Sequence, residues 1–527
     1  MPTPPANPTS GPAPAQAAPP APPASGAGLD RGLLLIASVV VIGAVMSILD
    51  ATVVNVAINT LAKDFTTPLS TIQWVVTGYT LALATVIPLT GWVADRFGTK
   101  RIYLTAIVLF VLGSALAGTA WSASSLITFR VLQGLGGGML MPVGMTILTR
   151  AAGPQRVGRV MAVIGVPMLL GPICGPILGG WLVDDFSWRW IFFINLPIGV
   201  IATILTLRIL PRDVPQPGHR LDWLGLVLLS PSLAAIIYGL AESSSHGGFG
   251  SPRVLVPLVG GAVVFAMFVW HALRTSDALV DLRLFANRTF SASTVTLLLM
   301  VMSVFGGMLL LPLYLQVVRG ESAMDSGLLI APQGLGAMLA MPIAGRLTDR
   351  TGVGRIVPVG LALVAGSFVA LTQLHADTSY WVFGVIVFFL GLGMGTTMMP
   401  TFSGAMQTLR RASVARASTT LNIIQQVGAS VGTAVLTVLL TNELTNRLPA
   451  GGSGGGIGSA AGIPAQVRAR IAPLMADAFG ATFRWAVGMV VVAFVVALIL
   501  LPKRKPEPVP EESDDEVEPA ATAVPIG

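Results

Sequence analysis

From residue 32 to residue 502 the chain consists largely of apolar runs broken by short hydrophilic gaps. Each run is roughly 20 to 30 residues long, enough for a helix to cross about 30 Å of hydrocarbon. In that solvent every lipid-facing N–H and C=O needs a partner within its own segment, so the runs must be helices, and their length excludes a barrel. Composition agrees. Of 527 residues, 53% are hydrophobic and 10% charged, whereas soluble globular chains carry about 25% charged residues. Such a chain cannot cover itself with polar surface in water.

Fourteen spans are predicted, at 32–62, 71–94, 102–121, 123–149, 158–183, 188–211, 221–241, 254–273, 290–318, 323–345, 356–374, 379–409, 417–441 and 483–502. A net charge of +7 and a pI near 10.1 would suit nucleic acid if the basic residues formed one patch. They lie instead in the gaps between runs. With the N-terminus inside, 22 of the 31 Lys and Arg fall in inside segments and 8 in outside segments, with Arg130 alone within a span. This asymmetry predicts a multi-pass protein of the inner (plasma) membrane with both termini cytoplasmic.

Other chemistry is thin. Cys174 has no partner in the chain, so no intramolecular disulfide forms. His219, His246, His271 and His375 are scattered near span ends or loops and build no metal-ligand cluster. Residues 1–30 lack a basic stretch before a short apolar core, so the first span is expected to be an uncleaved anchor.

An internal echo organises the chain. Gly91, Asp95, Arg96, Gly98 and Arg101 recur in register as Gly345, Asp349, Arg350, Gly352 and Arg355, each set following a span on the cytoplasmic side. This is the mark of a duplicated pair of helical halves. The predicted order is a disordered cytoplasmic tail (1–31), an N-terminal six-helix bundle (32–211), a two-helix insertion (212–289), a C-terminal six-helix bundle (290–502) and a disordered acidic cytoplasmic tail (503–527). The outside stretch 442–482 combines a Gly-rich linker at 451–456 with an expected amphipathic helix at 464–480. It is either a spacer or a partner or gating element.

Asp50 is the only acid deep within an apolar run. It stands roughly 28 Å from Arg31 and 20 Å from Lys63 along a helix, beyond the reach of either. Standing alone in hydrocarbon, it should be protonated when dry and ionised when water or a cation reaches it. Arg130 cannot easily lose its proton and needs a carboxylate, helix carbonyls or an anionic ligand. Packing, gate closing and proton coupling are all open to it, and Gln133 follows one turn later. In the fifth span Gly171, Gly175 and Gly179 share one face, which lets another backbone approach closely. Pro167, Pro172 and Pro176 invite bends.

These residues resemble those of the major facilitator superfamily over nearly all of 32–502. Gly91, Asp95, Arg96, Gly98 and Arg101 look like its cytoplasmic motif, whose charges would act as a conformational latch together with Asp349 and Arg350. In the second copy Gly354 replaces Lys100, which implies a weaker latch. The stretch from Arg130 to Gly136 resembles the fourth-helix motif linked to proton coupling. Gly171, Pro172, Gly175, Pro176 and Gly179 resemble the fifth-helix motif of antiporters. Segments at 49–57, 74–79, 188–197 and 312–316 are similar to signatures of the fourteen-helix EmrB/QacA-type drug:proton antiporters. The fold class expected is therefore an all-α membrane protein of the major facilitator fold with two extra helices.

The resemblance implies a transporter working by alternating access, with Asp50 and Arg130 in proton coupling, no cofactor beyond the proton gradient, and export of drug-like lipophilic or cationic molecules. An exporter or importer of a specific metabolite or lipid is the alternative. External protons would reach Asp50 and displace substrate, and their release inside would restore an anionic site. Asn55, Trp74, Tyr79, Gln133, Tyr314, Asn422, Gln425 and Gln426 are candidates for the substrate cavity. Neither an enzyme nor a primary pump fits. No His lies at membrane depth to pair with Asp50, and no phosphate-cradling Gly-rich loop is present. Protons, small molecules and lipids are the expected partners; a periplasmic adaptor stays open.

Overall fold

The computed structural model describes residues 30–503 except 68, 154–155, 157–159, 161–170, 172–173, 176–177, 184, 212–220, 244–247, 276–277, 408, 410–412 and 448–464. Most of both predicted tails, the Gly-rich linker and Pro167, Pro172 and Pro176 lie outside the described residues, as do the side chains of Asn55 and Asp349. The described residues form helices and no strand.

Thirteen of these helices are long and apolar enough to cross a membrane. They are α1 (Arg31–Asp64), α2 (Trp74–Phe97), α3 (Thr99–Gly118), α4 (Ala123–Ala152), α5 (Trp190–Ile209), α6 (Trp223–Ser243) and α7 (Pro252–Arg274). After these come α8 (Arg288–Val318), α9 (Ala323–Thr351), α10 (Val353–Leu371), α11 (Tyr380–Gln407), α12 (Val414–Arg447) and α13 (Ala465–Leu500). The remaining predicted span, 158–183, falls largely outside the described residues; 171, 174–175 and 178–183 are helical. The face of the bundle on which α1 begins is termed near, and the opposite face far.

Local chemistry places the helix ends. The Asp30 carboxylate caps α1 by accepting from the Leu33 N–H at 2.7 Å. Ser122 and Ser125 bond reciprocally to each other's backbone at the start of α4. The echoed motif is echoed in backbone too. Gly98 and Gly352 have φ of +89° and +85° and each joins two helices at a sharp corner, a conformation that costs other residues a Cβ clash.

α1–α5 pack as one half and α8–α13 as the other. They meet on the near face, where the hydroxyls of Thr90 and Thr419 lie 3.1 Å apart and Ser418 donates to the Pro142 carbonyl at 3.2 Å. The inserted pair α6–α7 leans on this seam. Leu229 and Leu233 of α6 pack with Ile87 of α2 and Ile423 of α12, and Ser230 donates to the Thr85 carbonyl at 2.7 Å. α6 and α7 are tied at the near face by His271 and Asp222, 2.8 Å apart. α7 buries little else and presents Val256, Val259, Val263 and Met267 outward, as a lipid-facing helix should.

One expectation needs correction. The amphipathic helix predicted at 464–480 is not separate from the last span: α13 runs unbroken for 36 residues. Arg470 and Asp477, both exposed, interrupt the apolar run but not the helix, because backbone hydrogen bonding continues wherever charged side chains can reach water.

Candidate functional site

Asp50, Arg130, Gln133 and Asn195 come together in the far half of the N-terminal bundle. Each is at most 1% exposed. Arg130 lies seven residues into α4, about 10 Å from that helix's far end.

Small residues allow the convergence. A Cβ on Gly113 would meet the Gln133 backbone at 2.6 Å, one on Gly134 the Tyr79 carbonyl at 2.5 Å, and one on Gly138 the Leu83 carbonyl at 2.6 Å. α2, α3 and α4 therefore touch backbone to backbone, which turns Arg130 and Gln133 toward α1. The fifth span does the same to the other side of α1. A Cβ on Gly171 would collide with Ile48 and one on Gly175 with Thr52, while Gly179 faces the Val53 carbonyl at 3.0 Å. Thr52 closes this contact by donating to the Gly171 carbonyl at 3.3 Å.

The polar groups then satisfy one another. Arg130 Nη1 donates to Asp50 Oδ2 at 2.5 Å and to Gln133 Oε1 at 2.7 Å, and its Nε donates to the Val75 carbonyl at 3.2 Å. Gln133 Nε2 donates to Asp50 Oδ1 at 2.8 Å, closing a ring of three side chains. Asn195 Nδ2 donates to the same Oδ1 and to Ser114 Oγ, each at 3.0 Å, and Ser114 donates to the Phe192 carbonyl at 2.8 Å. The Arg130 guanidinium also lies over the Tyr79 ring, 4.1 Å from its centroid. Tyr79 in turn has its hydroxyl 3.3 Å from that of Ser47.

Asp50 is thus not the lone acid that the sequence suggests. Arg130, 80 positions away, supplies the carboxylate's counter-charge, and two amides fill its remaining lone pairs. In this conformation a cation would have to compete with Arg130 for the carboxylate. Asn195, Ser114 and Ser47 join the network without having been assigned a role from sequence. A buried amide and hydroxyls within otherwise apolar runs were the available signal.

The other candidates are dispersed. Trp74 is 39% exposed and stacks on Tyr238 of α6. Tyr314 sits in the packed core of the C-terminal half, donating to the His375 carbonyl at 2.6 Å against Phe383 and Phe479. Asn422 is buried and donates to the Ser418 carbonyl of its own helix, and Gln425 and Gln426 are half-buried beside it. Among the latch residues, Asp95 pairs with Arg150 at 2.7 Å, a contact within the N-terminal half rather than across the seam. Gly91 is buried, while Arg96, Arg101 and Arg350 are exposed. Among the described residues no three His, Cys, Asp or Glu form a metal-ligand group.

Known proteins share this arrangement of helices and much of the sequence. The family model described as Major Facilitator Superfamily matches residues 40–433. A "Multidrug resistance protein B homolog" of Mycobacterium tuberculosis is 48% identical over 407 residues, covering 76% of this chain and 75% of that protein. "Multidrug export protein EmrB" of Escherichia coli K12 is 34% identical over 358 residues, covering 68% and 67%. The human organic anion transporter MFSD10 superposes with a TM-score of 0.58 at 15% identity, covering 89% of this chain and all of that one. The xylose symporter XylE superposes with 0.57 at 13%, covering 90% and 97%. The fold, the family match and the sequence identity converge: the chain belongs to the major facilitator superfamily and is a multi-pass membrane transporter, not an enzyme.

Proposed function

We propose that the protein is a proton-coupled antiporter that exports lipophilic, drug-like molecules from the cytoplasm across the inner membrane. Relatives named for multidrug resistance and export support the cargo class. The observation that supports proton coupling is the buried ring of Asp50, Arg130 and Gln133. A salt bridge sealed from water responds to a proton as a switch. Protonation of Asp50 removes the charge that holds Arg130, leaving the guanidinium its bonds to Gln133 and Val75, and the contact between α1 and α4 loosens.

The excess of basic residues in the gaps on the near side supports a cytoplasmic position for that side. The ring then lies about 10 Å from the external end of α4 and about 21 Å from that of α1, against about 33 Å and 28 Å to their cytoplasmic ends, so external protons have the shorter path to it. In the cycle, an external proton takes Arg130's place on Asp50 and the halves rock. Loss of the proton to the cytoplasm re-forms the pair. The fifth-span glycines give α1 a smooth surface on which to shift.

Transport into everted vesicles under an imposed pH difference tests this reading. Asp50→Asn should abolish substrate accumulation and substrate-induced proton efflux together. Uphill accumulation by that variant would show that Asp50 is not the coupling group.

A further inference from the structure

A cavity of about 350 Å³ lies in the far half of the seam, between α2, α6, α8 and α12, within the size range of small-molecule sites. Thr77 and Thr80 of α2 face it from one half, and Ser430, Thr433 and Thr437 of α12 from the other. Ile237 and Leu240 of the inserted helix α6 supply the apolar side, and none of the lining side chains is charged. α6 supplies a third wall beside the two halves and leaves the cavity open at a rim formed by Ala241.

α2 is a partition between this cavity and the ion pair. Val75 and Tyr79, one turn apart, face Arg130. Val76, Thr77 and Thr80, on the neighbouring face of the same turns, line the cavity.

We propose that this cavity binds an uncharged, lipophilic molecule bearing a carbonyl or hydroxyl group, at a site distinct from the Asp50–Arg130 pair and backed against it by α2. A cation would shed its hydration here without gaining a counter-charge. A bare hydrocarbon chain would leave the hydroxyls unused. Thr80 and Ser430 donate to carbonyls of their own helices, Val76 at 3.0 Å and Gln426 at 3.0 Å, and a hydroxyl that donates inward still has lone pairs to offer. A neutral polar group on an apolar body meets both parts of the wall. That the bound molecule is cargo rests on the export reading; the binding itself does not.

The test uses the full chain in nanodiscs without a proton gradient, and three photoprobes: benzophenone, a benzophenone carrying a quaternary ammonium, and a phosphatidylcholine with a diazirine in its acyl chain. Adducts are mapped by mass spectrometry. Benzophenone should label peptides of α2 and α12 in preference to those of α7. Ala429→Trp, which fills the cavity, and Ala241→Trp, on its exposed rim, should each cut that labelling about tenfold, the loss expected of an overpacked site. The rim variant keeps the test decisive if the interior one misfolds. The same labelling is read in Asp50→Asn, so failure of proton coupling there leaves the binding result standing. Benzophenone adducts confined to α7, or insensitive to both tryptophans, would overturn the proposal. So would stronger labelling of α2 and α12 by either of the other two probes.

Discussion

Thr90 of the N-terminal half and Thr419 of the C-terminal half hold their hydroxyl oxygens 3.1 Å apart at the near face. With Ser418 against the Pro142 carbonyl, this contact closes one side of the seam along α2, α4 and α12. A transporter that rocks must break it once in each cycle.

Cross-linking gives the first prediction. In a Cys174→Ala background, Thr90→Cys with Thr419→Cys should join under a short bifunctional reagent and stop transport, and reversal of the link should restore it. Full transport by the linked protein would mean that this seam never opens.

Removing one partner of the buried pair should cost more than removing both charges. Arg130→Ala strands the Asp50 carboxylate and should lower unfolding stability by about 3–5 kcal/mol, whereas Asp50→Asn with Arg130→Gln should recover most of that loss without restoring coupling. Thermal unfolding in detergent measures the first part and proton flux the second. Equal destabilisation by the single and double variants would contradict the pairing.

Asn195→Leu removes the bonds to Asp50 Oδ1 and Ser114 while leaving the Arg130 contact in place. Intramembrane hydrogen bonds average about 0.6 kcal/mol, so the loss of stability should be small. Transport should nonetheless fall, because one of the groups that position the Asp50 carboxylate against Arg130 is gone. Unchanged transport would confine Asn195 to packing.

The fifth-span glycines make a graded prediction. Gly175→Ala places a methyl against Thr52 and Gly171→Ala one against Ile48, so both should impair transport strongly at normal expression. Gly180→Ala has nothing within 4 Å of the new methyl and should transport normally. Comparable loss in all three would point to helix propensity rather than to the contact with α1.

The spans were legible because hydrocarbon leaves one choice of structure and the apolar runs have the matching length. The repeat was legible because Gly98 and Gly352 keep both their identity and their positive φ. What the sequence left hidden was rotation. Arg130 is 80 residues from Asp50, and nothing in a one-dimensional pattern says which way α4 turns its arginine. That depends on Gly113, Gly134 and Gly138 meeting particular backbones. The cavity escaped for a similar reason. Its polar lining is four threonines and one serine, whose helical spacing at Ser430, Thr433 and Thr437 was readable but unremarkable without the facing α2 and α6.

α13 is about 54 Å long at helical rise, well beyond the thickness of hydrocarbon, and Phe479 fastens its upper part to Tyr314 of its own half. A stiff rod clamped in this way magnifies small tilts. When the C-terminal half leans by a few degrees, the tip near Ala465 sweeps sideways beyond the far face, so a tag or binding protein attached there would report the tilt.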